Sequence, residues 1–414
     1  MTQVAIIGAG IVGLASAYEL QQRGFEVSVY EANAQSGQGT SKANGAQLSY
    51  SFVTPLATPG VLRDLPKLLF DRQGALRLHP RLQMAQLRWL LAFAACCTQR
   101  QSRQGAEDLF LLGQLSRQSL DELLAEHPLP FAHRRSGKLQ VFQSQSGFEQ
   151  ARAAQTDFLA THGIEQQVLN AAETIQLEPS LAAIEGRIQG SLFTPSEETG
   201  DCAALCAQMT QLLQKRGVKF HFNTPITSLQ AAGNQVRAQT AQGPLEHQHI
   251  VLATGGPTQQ LLRPLGLNPN IYPLRGYSLT FPLNEDSQSP RTSISDIKNK
   301  VVYAPLGKQL RVAGMVDIGV QRPRIIEQRI NTLKAQVNEF YPQLAPAGPP
   351  TSWTGERAAR PDSKPVISAT PYANLHVNAG HGALGFTLAF GSARLLAGLL
   401  CGDAEPTLAQ RFVL

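Results

Sequence analysis

The chain has 414 residues, of which 43% are hydrophobic and 16% are charged. This length and composition indicate a well-buried globular protein with two domains and exclude a disordered or fibrous one. The net charge of +6, from 36 Lys and Arg against 30 Asp and Glu, is spread along the chain without a basic block. It favours anionic small molecules or an anionic membrane surface, and it argues against a nucleic-acid partner.

The five cysteines are predicted to be buried free thiols. They stand at Cys96, Cys97, Cys202, Cys206 and Cys401, and no further His or Cys lies near them at the spacing of a metal site. Free thiols indicate a reducing compartment. The first residues lack the n-region and cleavage site of a signal peptide. We therefore expect a protein without a metal, located in the cytoplasm either free or on the inner face of the cytoplasmic membrane.

The N-terminal stretch predicts one βαβ unit. Val4–Ile7 is a buried strand by pattern, and a glycine turn, a helix to Arg23 and a second strand at Glu26–Tyr30 follow it. The turn has the GxGxxG pattern. Its first glycine permits a tight turn, its second lets the backbone approach a diphosphate, and its third lets helix and strand pack together. The turn consists of Gly8, Ala9, Gly10, Ile11, Val12 and Gly13.

This unit predicts an adenine dinucleotide site. The helix N-terminus supplies unpaired N–H groups for the diphosphate. Glu31 ends the second strand, where a carboxylate accepts hydrogen bonds from a ribose hydroxyl, and Ala32 follows it. The acid argues against the 2′-phosphate of NADP and leaves FAD and NAD as the candidates.

A long polar loop from Asn33 to Pro59 precedes helical segments that continue to about Leu129. The most apolar of them, Leu87–Cys97, is about half the length that a membrane-spanning helix needs. We interpret it as a buried core helix. The alternative is a patch that touches a membrane surface, since five arginines surround it: Arg77, Arg81, Arg88, Arg100 and Arg103.

The remainder alternates between two kinds of segment. Short strands with alternating apolar residues predict an antiparallel sheet with one covered face: Lys138–Phe142, Ile188–Phe193, Ser278–Phe281, Lys300–Ala304 and Gln309–Ala313. Between them come a helix from Cys202 to Gly217 and strands at 218–222 and His249–Gly256. After Pro350 a strand at 375–380 leads into a helix that starts near Gly385. Two discontinuous domains follow from this alternation.

The predicted fold class is therefore α/β, with a Rossmann-type cofactor domain and an α+β substrate domain that contains an antiparallel sheet. The cofactor domain is expected at 1–86, 196–262 and 350–414, and the substrate domain at 87–195 and 263–349.

Five sequence blocks carry a resemblance to a known family. They are Thr40–Ser49 (TSKANGAQLS), Glu198–Cys202 (ETGDC), Pro273–Leu283 (PLRGYSLTFPL), Trp353–Ile367 (WTGERAARPDSKPVI) and Asn378–Leu396 (NAGHGALGFTLAFGSARLL). Over nearly its full length the chain resembles the D-amino acid dehydrogenase small-subunit family, within the D-amino acid oxidase-like superfamily of FAD enzymes. The resemblance implies FAD rather than NAD. It also implies hydride transfer from Cα of a D-amino acid to flavin N5, hydrolysis of the imino acid to a 2-oxo acid, and electron transfer to a quinone or another acceptor.

The resemblance explains why the chain has a second glycine-rich turn. The two turns are expected to serve the two ends of one FAD. The helix near Gly385 is expected to point its positive end at the N1–C2=O edge of the flavin, where negative charge accumulates. His381 is expected beside the flavin as a polar neighbour. The implied FAD contacts, in addition to the first turn and Glu31, are Thr40, Ser41, Asn44, Gly45, Ala46, Gln47, Pro225, Ile226, Thr254, Gly255, Gly256, Gly380, His381, Gly382, Leu384, Gly385, Phe386 and Thr387.

The substrate carboxylate needs a fixed cation, and the planar fork of arginine suits it. Arg357 matches the arginine of the family's Trp-x-Gly-x-Arg block and is the predicted carboxylate clamp. Arg360 lies close by in sequence, so the sequence leaves the choice between them open. Further residues predicted to line the site are Arg275, Tyr277, Tyr50 and Tyr303.

The chain departs from the family pattern at several positions. Ala358 and Ser363 stand where the family usually has proline and glycine, Gly45-Ala46 reverses the usual order, and Phe386 replaces a frequent tryptophan. These departures favour a substrate other than D-alanine, such as the cyclic D-proline or hydroxy-D-proline. Two alternatives stay open. One is an FAD-dependent oxidase of glycine, sarcosine-like or other amines that makes hydrogen peroxide. The other is a flavoprotein subunit that mainly binds a membrane or a partner in a homo- or hetero-oligomer.

Overall fold

The computed structural model describes residues 1–63, 74–320 and 325–414. In this part of the chain the helices are α1 Ile11–Gln22, α2 Pro59–Arg63, α3 Met84–Cys96, α4 Gln99–Glu126, α5 Gln145–Thr161, α6 Ala171–Leu177, α7 Cys202–Lys215, α8 Thr258–Leu262, α9 Glu327–Phe340, α10 Gly385–Cys401 and α11 Pro406–Ala409. The strands are β1 Gln3–Ile7, β2 Glu26–Tyr30, β3 Gln47–Leu48, β4 Leu76–Leu78, β5 Lys138–Phe142, β6 Gln167–Leu169, β7 Gly190–Thr194, β8 Glu198–Thr199, β9 Lys219–His221, β10 Ser228–Ala232, β11 Gln235–Thr240, β12 Gly243–Pro244, β13 His249–Leu252, β14 Tyr272–Pro282, β15 Ser293–Asp296, β16 Val301–Leu306, β17 Gln309–Ile318, β18 Thr351–Ala359, β19 Val366–Ala369 and β20 Leu375–Ala379.

A six-stranded sheet forms the cofactor domain, in the order β19-β20-β13-β1-β2-β9. All neighbouring strands are parallel except β19, which is antiparallel to β20. After its first residue β1 is apolar because both of its faces are buried: Val4 and Ile6 pack in one hydrophobic cluster, and Ala5 and Ile7 in another. Among the described residues the segment Gly382–Cys401 is long and apolar enough to cross a membrane, but most of it lies inside this core. The sheet is of the Rossmann type.

A second sheet forms the substrate domain, in the order β18-β14-β17-β16-β15-β5-β7-β6, with β4 beside β17. Most of its contacts are antiparallel, as predicted. Two pairs, β5–β15 and β4–β17, are parallel, so the sheet is mixed. One face packs against α9 through Leu333, Val337 and Phe340.

The predicted domain boundaries need correction. β18 lies inside the segment assigned to the cofactor domain, yet it pairs with β14 from Tyr272 to Thr280 and forms the edge of the substrate sheet. β4, within the predicted 1–86 segment, also joins this sheet. Conversely, α4 was assigned to the substrate domain but packs in the core around α1 and α10 through Leu109, Leu112 and Leu120. Amphipathic periodicity shows that a helix has a buried face, but it does not show which sheet that face meets.

The prediction of a buried helix at Leu87–Cys97 is wrong. α3 buries only Gln86, Trp89 and Phe93, whereas Met84, Leu87 and Leu91 are 70%, 49% and 63% exposed. The helix docks by one narrow face because Trp89 and Phe93 fill a cluster formed with β14 and β17. The opposite side of the helix is also apolar, and it is exposed to solvent. The predicted helical stretch at 64–73 lies outside the described residues.

The cysteines are free, but they are not all buried. Cys97, Cys202 and Cys206 are buried, whereas Cys96 is partly exposed and Cys401 is exposed on the surface. Cys401 ends α10, whose last turn reaches solvent, so its exposure follows from its place at the helix end.

Two histidines pair across the parallel strands β13 and β20. His249 Nδ1 and His376 Nε2 are 3.3 Å apart, and burial lowers the pKa of His376 to about 4. A histidine in the unfolded chain has a pKa of about 6.5. Between pH 6.5 and 4 the unfolded chain therefore binds more protons than the native protein at this position. Stability present above pH 6.5 is lost as the pH falls through this window.

Changing His376 to Gln is expected to reduce the acid sensitivity of the fold. The pKa of His376 is about 6.5 in the unfolded chain and about 4 in the folded protein. This difference lowers the free energy of unfolding by about 2 kcal/mol at pH 5 relative to pH 8. Glutamine keeps a hydrogen-bonding side chain but does not titrate, so the variant should lose about 2 kcal/mol less between these pH values. Urea unfolding at pH 8 and pH 5 measures both losses. Equal losses in variant and wild type would contradict the prediction.

Candidate active site

The parallel sheet brings the predicted cofactor segments to one edge. Its strands β1, β2, β9, β13 and β20 run the same way, so the segments that follow them meet at their carboxyl ends. These segments are Gly8–Gly13, Glu31–Ala32, Pro225–Ile226, Thr254–Gly256 and Gly380–Thr387. Backbone hydrogen bonds join neighbours in this row, since Thr224 N–H donates to Glu31 O (2.9 Å) and Ala253 N–H to Ile7 O (2.9 Å).

The three glycines of the first turn are required for different reasons. Gly8 has φ +106°, and a Cβ there would lie 2.7 Å from the Ala253 carbonyl oxygen. A Cβ at Gly13 would lie 1.9 Å from the Gly8 carbonyl oxygen. A Cβ at Gly10 would meet only Ser41 Oγ, at 3.5 Å. The fold itself requires Gly8 and Gly13, whereas Gly10 leaves open space above the N-terminus of α1.

The donors and acceptors around this space fit the adenine and diphosphate end of FAD. The N-terminus of α1 has no side-chain cap from Gly10, and Ile11 N–H donates to Ser41 Oγ (3.1 Å). Buried Glu31 accepts from Ala9 N–H through Oε2 (2.8 Å), and from the backbone and side-chain N–H groups of Asn33 through Oε1 (2.9 and 2.6 Å). A carboxylate has about four acceptor positions. Glu31 is thus held in place with capacity left for a ribose hydroxyl.

The loop 40–47 connects the two sheets. Three hydrogen bonds with backbone carbonyl acceptors join it to the substrate sheet: Thr40 Oγ1 to Glu356 O (2.5 Å), Ser278 Oγ to Ala43 O (2.8 Å) and Arg311 Nη1 to Asn44 O (3.0 Å). Gln47 Nε2 also donates to Ser293 Oγ (2.6 Å). The loop therefore lies at the junction of the sheets, with Gly45 against Val302.

Two departures from the family pattern fall on left-handed backbone. Ala46 has φ +56° and Ser363 has φ +65°, a conformation that favours glycine. Glycine is the residue expected at both positions from the resemblance, so this chain adopts a glycine conformation without the glycine. Ser363 Oγ accepts a hydrogen bond from Leu56 N–H (2.9 Å), which offsets part of the strain.

The second glycine turn leads from β20 into α10 and contacts β18. Gly380 and Gly382 have φ +84° and +57°, and Gly382 N–H donates to Ala358 O (2.8 Å). α10 has no side-chain cap at Leu384, so its first N–H groups are available to an acceptor. Ser49 N–H donates to Thr387 Oγ1 (3.3 Å), and this bond connects the start of α10 to the segment that follows loop 40–47. Phe386 is buried in the core beside Gly200.

His381 in this turn is a neutral polar group. Its Nε2 lies 2.9 Å from Ser392 Oγ, and burial lowers its pKa to about 3. An imidazole with this pKa is uncharged at neutral pH and too weak to serve as a proton acceptor there.

Arg357 lies on β18 at the same junction. Its guanidinium covers Gly276 of β14, where a Cβ would come within 2.2 Å of Nη1, and Nη1 donates to Met315 O (3.1 Å). Burial lowers its pKa to about 10, so it stays cationic at neutral pH. In the described part of the chain no carboxylate lies within ion-pair distance of it. Arg360 differs, because it donates to Val413 O (3.3 Å) and lies 3.7 Å from Asp362.

Other predicted site residues lie elsewhere. Successive side chains of a strand point to opposite faces, so Arg275 and Tyr277 point away from the face of Gly276 and Arg357. Arg275 pairs with Glu356 (2.6 Å), and Tyr277 donates to Asp317 (2.7 Å). Tyr303 lies in the cluster under α9, and Tyr50 lies in the core around α1, α4 and α10. The structure does not bring these side chains together with Arg357.

Two buried charged residues near the site were not predicted from the sequence. Lys138, the first residue of β5, is buried and donates through Nζ to Ser49 Oγ (3.0 Å), and burial lowers its pKa. Buried Glu197 accepts from Ser51 N–H (3.0 Å), and burial raises its pKa. Both therefore brace the segment that follows loop 40–47. No sequence pattern predicts that a lysine at the start of a strand is buried. For Glu197 a signal existed, because it directly precedes the ETGDC block.

Comparisons with known proteins agree with this architecture. Residues 3–399 match the profile of the FAD dependent oxidoreductase (DAO) family. The chain is 41% identical to D-amino acid dehydrogenase 2 of Ralstonia nicotianae over 423 aligned positions, which cover 100% of this chain and 99% of that protein. It is 42% identical to D-amino acid dehydrogenase 2 of Pseudomonas aeruginosa over 398 positions, covering 95% and 94%. Among solved structures, glycine oxidase from Bacillus cereus has a similar fold, with a TM-score of 0.76 at 17% identity and coverage of 100% and 99%.

Proposed function

The chain belongs to the family of FAD-dependent oxidoreductases, and we propose on this premise that it is a dehydrogenase that oxidatively deaminates a D-amino acid. The observation that carries the proposal is the guanidinium of Arg357, held over Gly276 with no acidic partner among the described residues. A cation fixed in this way is suited to a planar carboxylate. Arg360 already has partners, which favours Arg357 as the clamp.

The residues at the junction of the sheets suit an extended FAD. The space above Gly10 and the N-terminus of α1 suits its diphosphate, Glu31 its ribose, and the segments 40–47 and 380–387 its isoalloxazine end. When bound, FAD supplies an acceptor for the hydride that leaves the substrate Cα. The amino acid loses this hydride and one proton to become an imino acid. Water converts an acyclic imino acid to a 2-oxo acid and ammonia, whereas hydrolysis of a cyclic one opens the ring and leaves the nitrogen on the resulting amino-2-oxo acid.

The contribution of the protein to this reaction is mainly positioning. Arg357 fixes the carboxylate, and its own orientation is fixed by Met315 O and by the flat surface at Gly276. A carboxylate held by a planar fork places Cα in one orientation, which is the main requirement of a hydride transfer. His381 stays neutral and orients the second turn through Ser392.

A substrate screen tests the proposal. The FAD-loaded protein is mixed anaerobically with both enantiomers of alanine, leucine, proline and hydroxyproline, and bleaching of the flavin absorbance is recorded. We expect bleaching by D-enantiomers only, with the cyclic ones among the substrates. Dye reduction should exceed formation of hydrogen peroxide in air. Hydrogen peroxide as the main product would support the amine oxidase alternative, and no bleaching by any D-amino acid would remove the assignment.

A dehydrogenase needs an electron acceptor, and we propose that this acceptor is a membrane quinone reached from an anionic membrane surface. α3 supports the proposal because Met84, Leu87 and Leu91 form an exposed apolar stripe. Arg88 on the same helix and Arg100 and Arg103 on α4 are exposed as well. Apolar side chains with arginines around them suit anionic phospholipid head groups.

Changing Leu87 and Leu91 to serine is expected to weaken binding to phosphatidylglycerol vesicles at least about ten-fold, since two partly exposed leucines lose their apolar contact. Co-sedimentation at low salt measures the bound fraction, and high salt should release the wild type. Val168→Ser is the matched control, because Val168 is 48% exposed on β6, at the opposite edge of the sheet from the strands that α3 contacts. Failure of the wild type to pellet at low salt would count against the membrane contact.

A further inference from the structure

Two glycines on neighbouring strands lie beneath the side chains of Arg357 and Trp353. Gly276 of β14 and Gly355 of β18 are directly paired. A Cβ at Gly276 would come within 2.2 Å of Arg357 Nη1, and a Cβ at Gly355 would come within 2.0 Å of Trp353 Cη2. The guanidinium thus lies over one glycine and the benzene ring of the indole over the other. Paired residues are about 5 Å apart, so cation and ring lie side by side on one face of the sheet.

Trp353 has a different environment from the other tryptophan of the chain. Trp89 is 1% exposed, stacks on Phe93 and donates through Nε1 to Ala359 O (2.9 Å). Trp353 is partly exposed on the edge strand of its sheet, and among the described residues it has no aromatic ring beside it. An apolar ring that is left partly open, next to a cation without an acid, is a surface suited to a ligand with one anionic and one apolar group.

We propose that Trp353 determines the side-chain specificity of this enzyme. This inference rests on the proposed function. With the substrate carboxylate on Arg357, a side chain that extends about 5 Å along the sheet meets the indole. Apolar and compact cyclic side chains gain contact area there. A second carboxylate would lose hydration against the ring, and a cationic side chain would be repelled by the Arg357 guanidinium beside it. The favoured substrates are therefore apolar and cyclic D-amino acids, and D-aspartate and D-lysine are disfavoured.

The test uses the FAD-loaded holoenzyme and steady-state dye reduction with D-proline, D-leucine, D-alanine, D-aspartate and D-lysine. Trp353→Ala is expected to raise KM for D-proline and D-leucine about ten-fold, the effect of losing roughly 50 Å² of apolar contact. KM for D-alanine and kcat for all three should change less than about two-fold. Trp353→Phe should recover most of the affinity. Ser352→Ala is the matched control, because Ser352 is on the same strand and points to the other face.

The outcomes separate this proposal from the one on which it rests. A wild type that oxidises none of the D-amino acids contradicts the proposed function itself. A wild type that prefers D-aspartate or D-lysine to D-proline and D-leucine overturns the specificity proposal alone. An equal rise in KM for D-alanine and the larger substrates, or no rise for any, overturns it too. A loss of flavin absorbance or of thermal stability in both Trp353 variants shows a structural role instead.

Discussion

Replacing Arg357 by methionine is expected to lower kcat/KM for D-amino acids about 10³-fold while FAD stays bound. Methionine preserves much of the length of the side chain but removes the guanidinium that covers Gly276. The substrate carboxylate then enters a partly desolvated site without a partner, which costs about 2–5 kcal/mol for a charge pair of this kind. Flavin absorbance of the purified variant confirms cofactor content, and dye reduction gives kcat/KM.

Two further variants make this result specific. Arg357→Lys keeps the charge and loses the planar fork, so its kcat/KM should lie between those of the wild type and the methionine variant. Arg360→Met is the matched control, because Arg360 interacts with Val413 and Asp362, and its kcat/KM should change less than about three-fold. If Arg360→Met is the damaging substitution and Arg357→Met is not, the assignment of the clamp is wrong.

The parts of the site that the sequence predicts well are those set by local chemistry. The strands at Glu26–Tyr30 and Lys138–Phe142 have their predicted bounds, and the first glycine turn opens α1 as expected. Gly13 is required by a contact with Gly8 inside the βαβ unit, and Gly8 by its positive φ as well as by Ala253 outside the unit, so a short motif is enough to predict both glycines but not the contact with Ala253. The other cofactor segments are close together because they follow parallel strands, a rule that needs only the order of elements.

The face on which a side chain lies could not be predicted. Tyr277 follows Gly276 directly in a motif block, but the alternation of the strand turns it toward α9 and away from Arg357. Which face of β14 meets the cofactor loop depends on pairing with β18, and β18 is distant in the sequence. The same long-range pairing makes residues 351–359 part of the substrate sheet and places Gly276 beneath the Arg357 guanidinium, next to Gly355 beneath the Trp353 indole.

Alanine at Gly10 and alanine at Gly13 are expected to fail in different ways, although both positions belong to one motif. The Gly13 methyl group would lie 1.9 Å from the Gly8 carbonyl oxygen, and the backbone cannot give way without moving β1 or α1. We expect Gly13→Ala to lower the free energy of unfolding of the apoprotein by about 3 kcal/mol or more, or to prevent soluble expression. The Gly10 methyl group would meet only Ser41 Oγ, at 3.5 Å, so apoprotein stability should change by less than about 1 kcal/mol.

The cost at Gly10 should appear when FAD binds. The methyl group occupies the space above the N-terminus of α1 that suits the diphosphate, and we expect the Kd for FAD to rise about a hundred-fold, or about 3 kcal/mol. Quenching of FAD fluorescence measures the Kd, and urea unfolding of the apoprotein measures stability. Gly186→Ala is the matched control, since a Cβ there meets nothing within 4 Å and the backbone is not left-handed. FAD binding to Gly10→Ala at wild-type affinity would mean that the diphosphate does not lie against this turn. An equally unstable apoprotein in both variants would mean that Gly10, like Gly13, serves the fold.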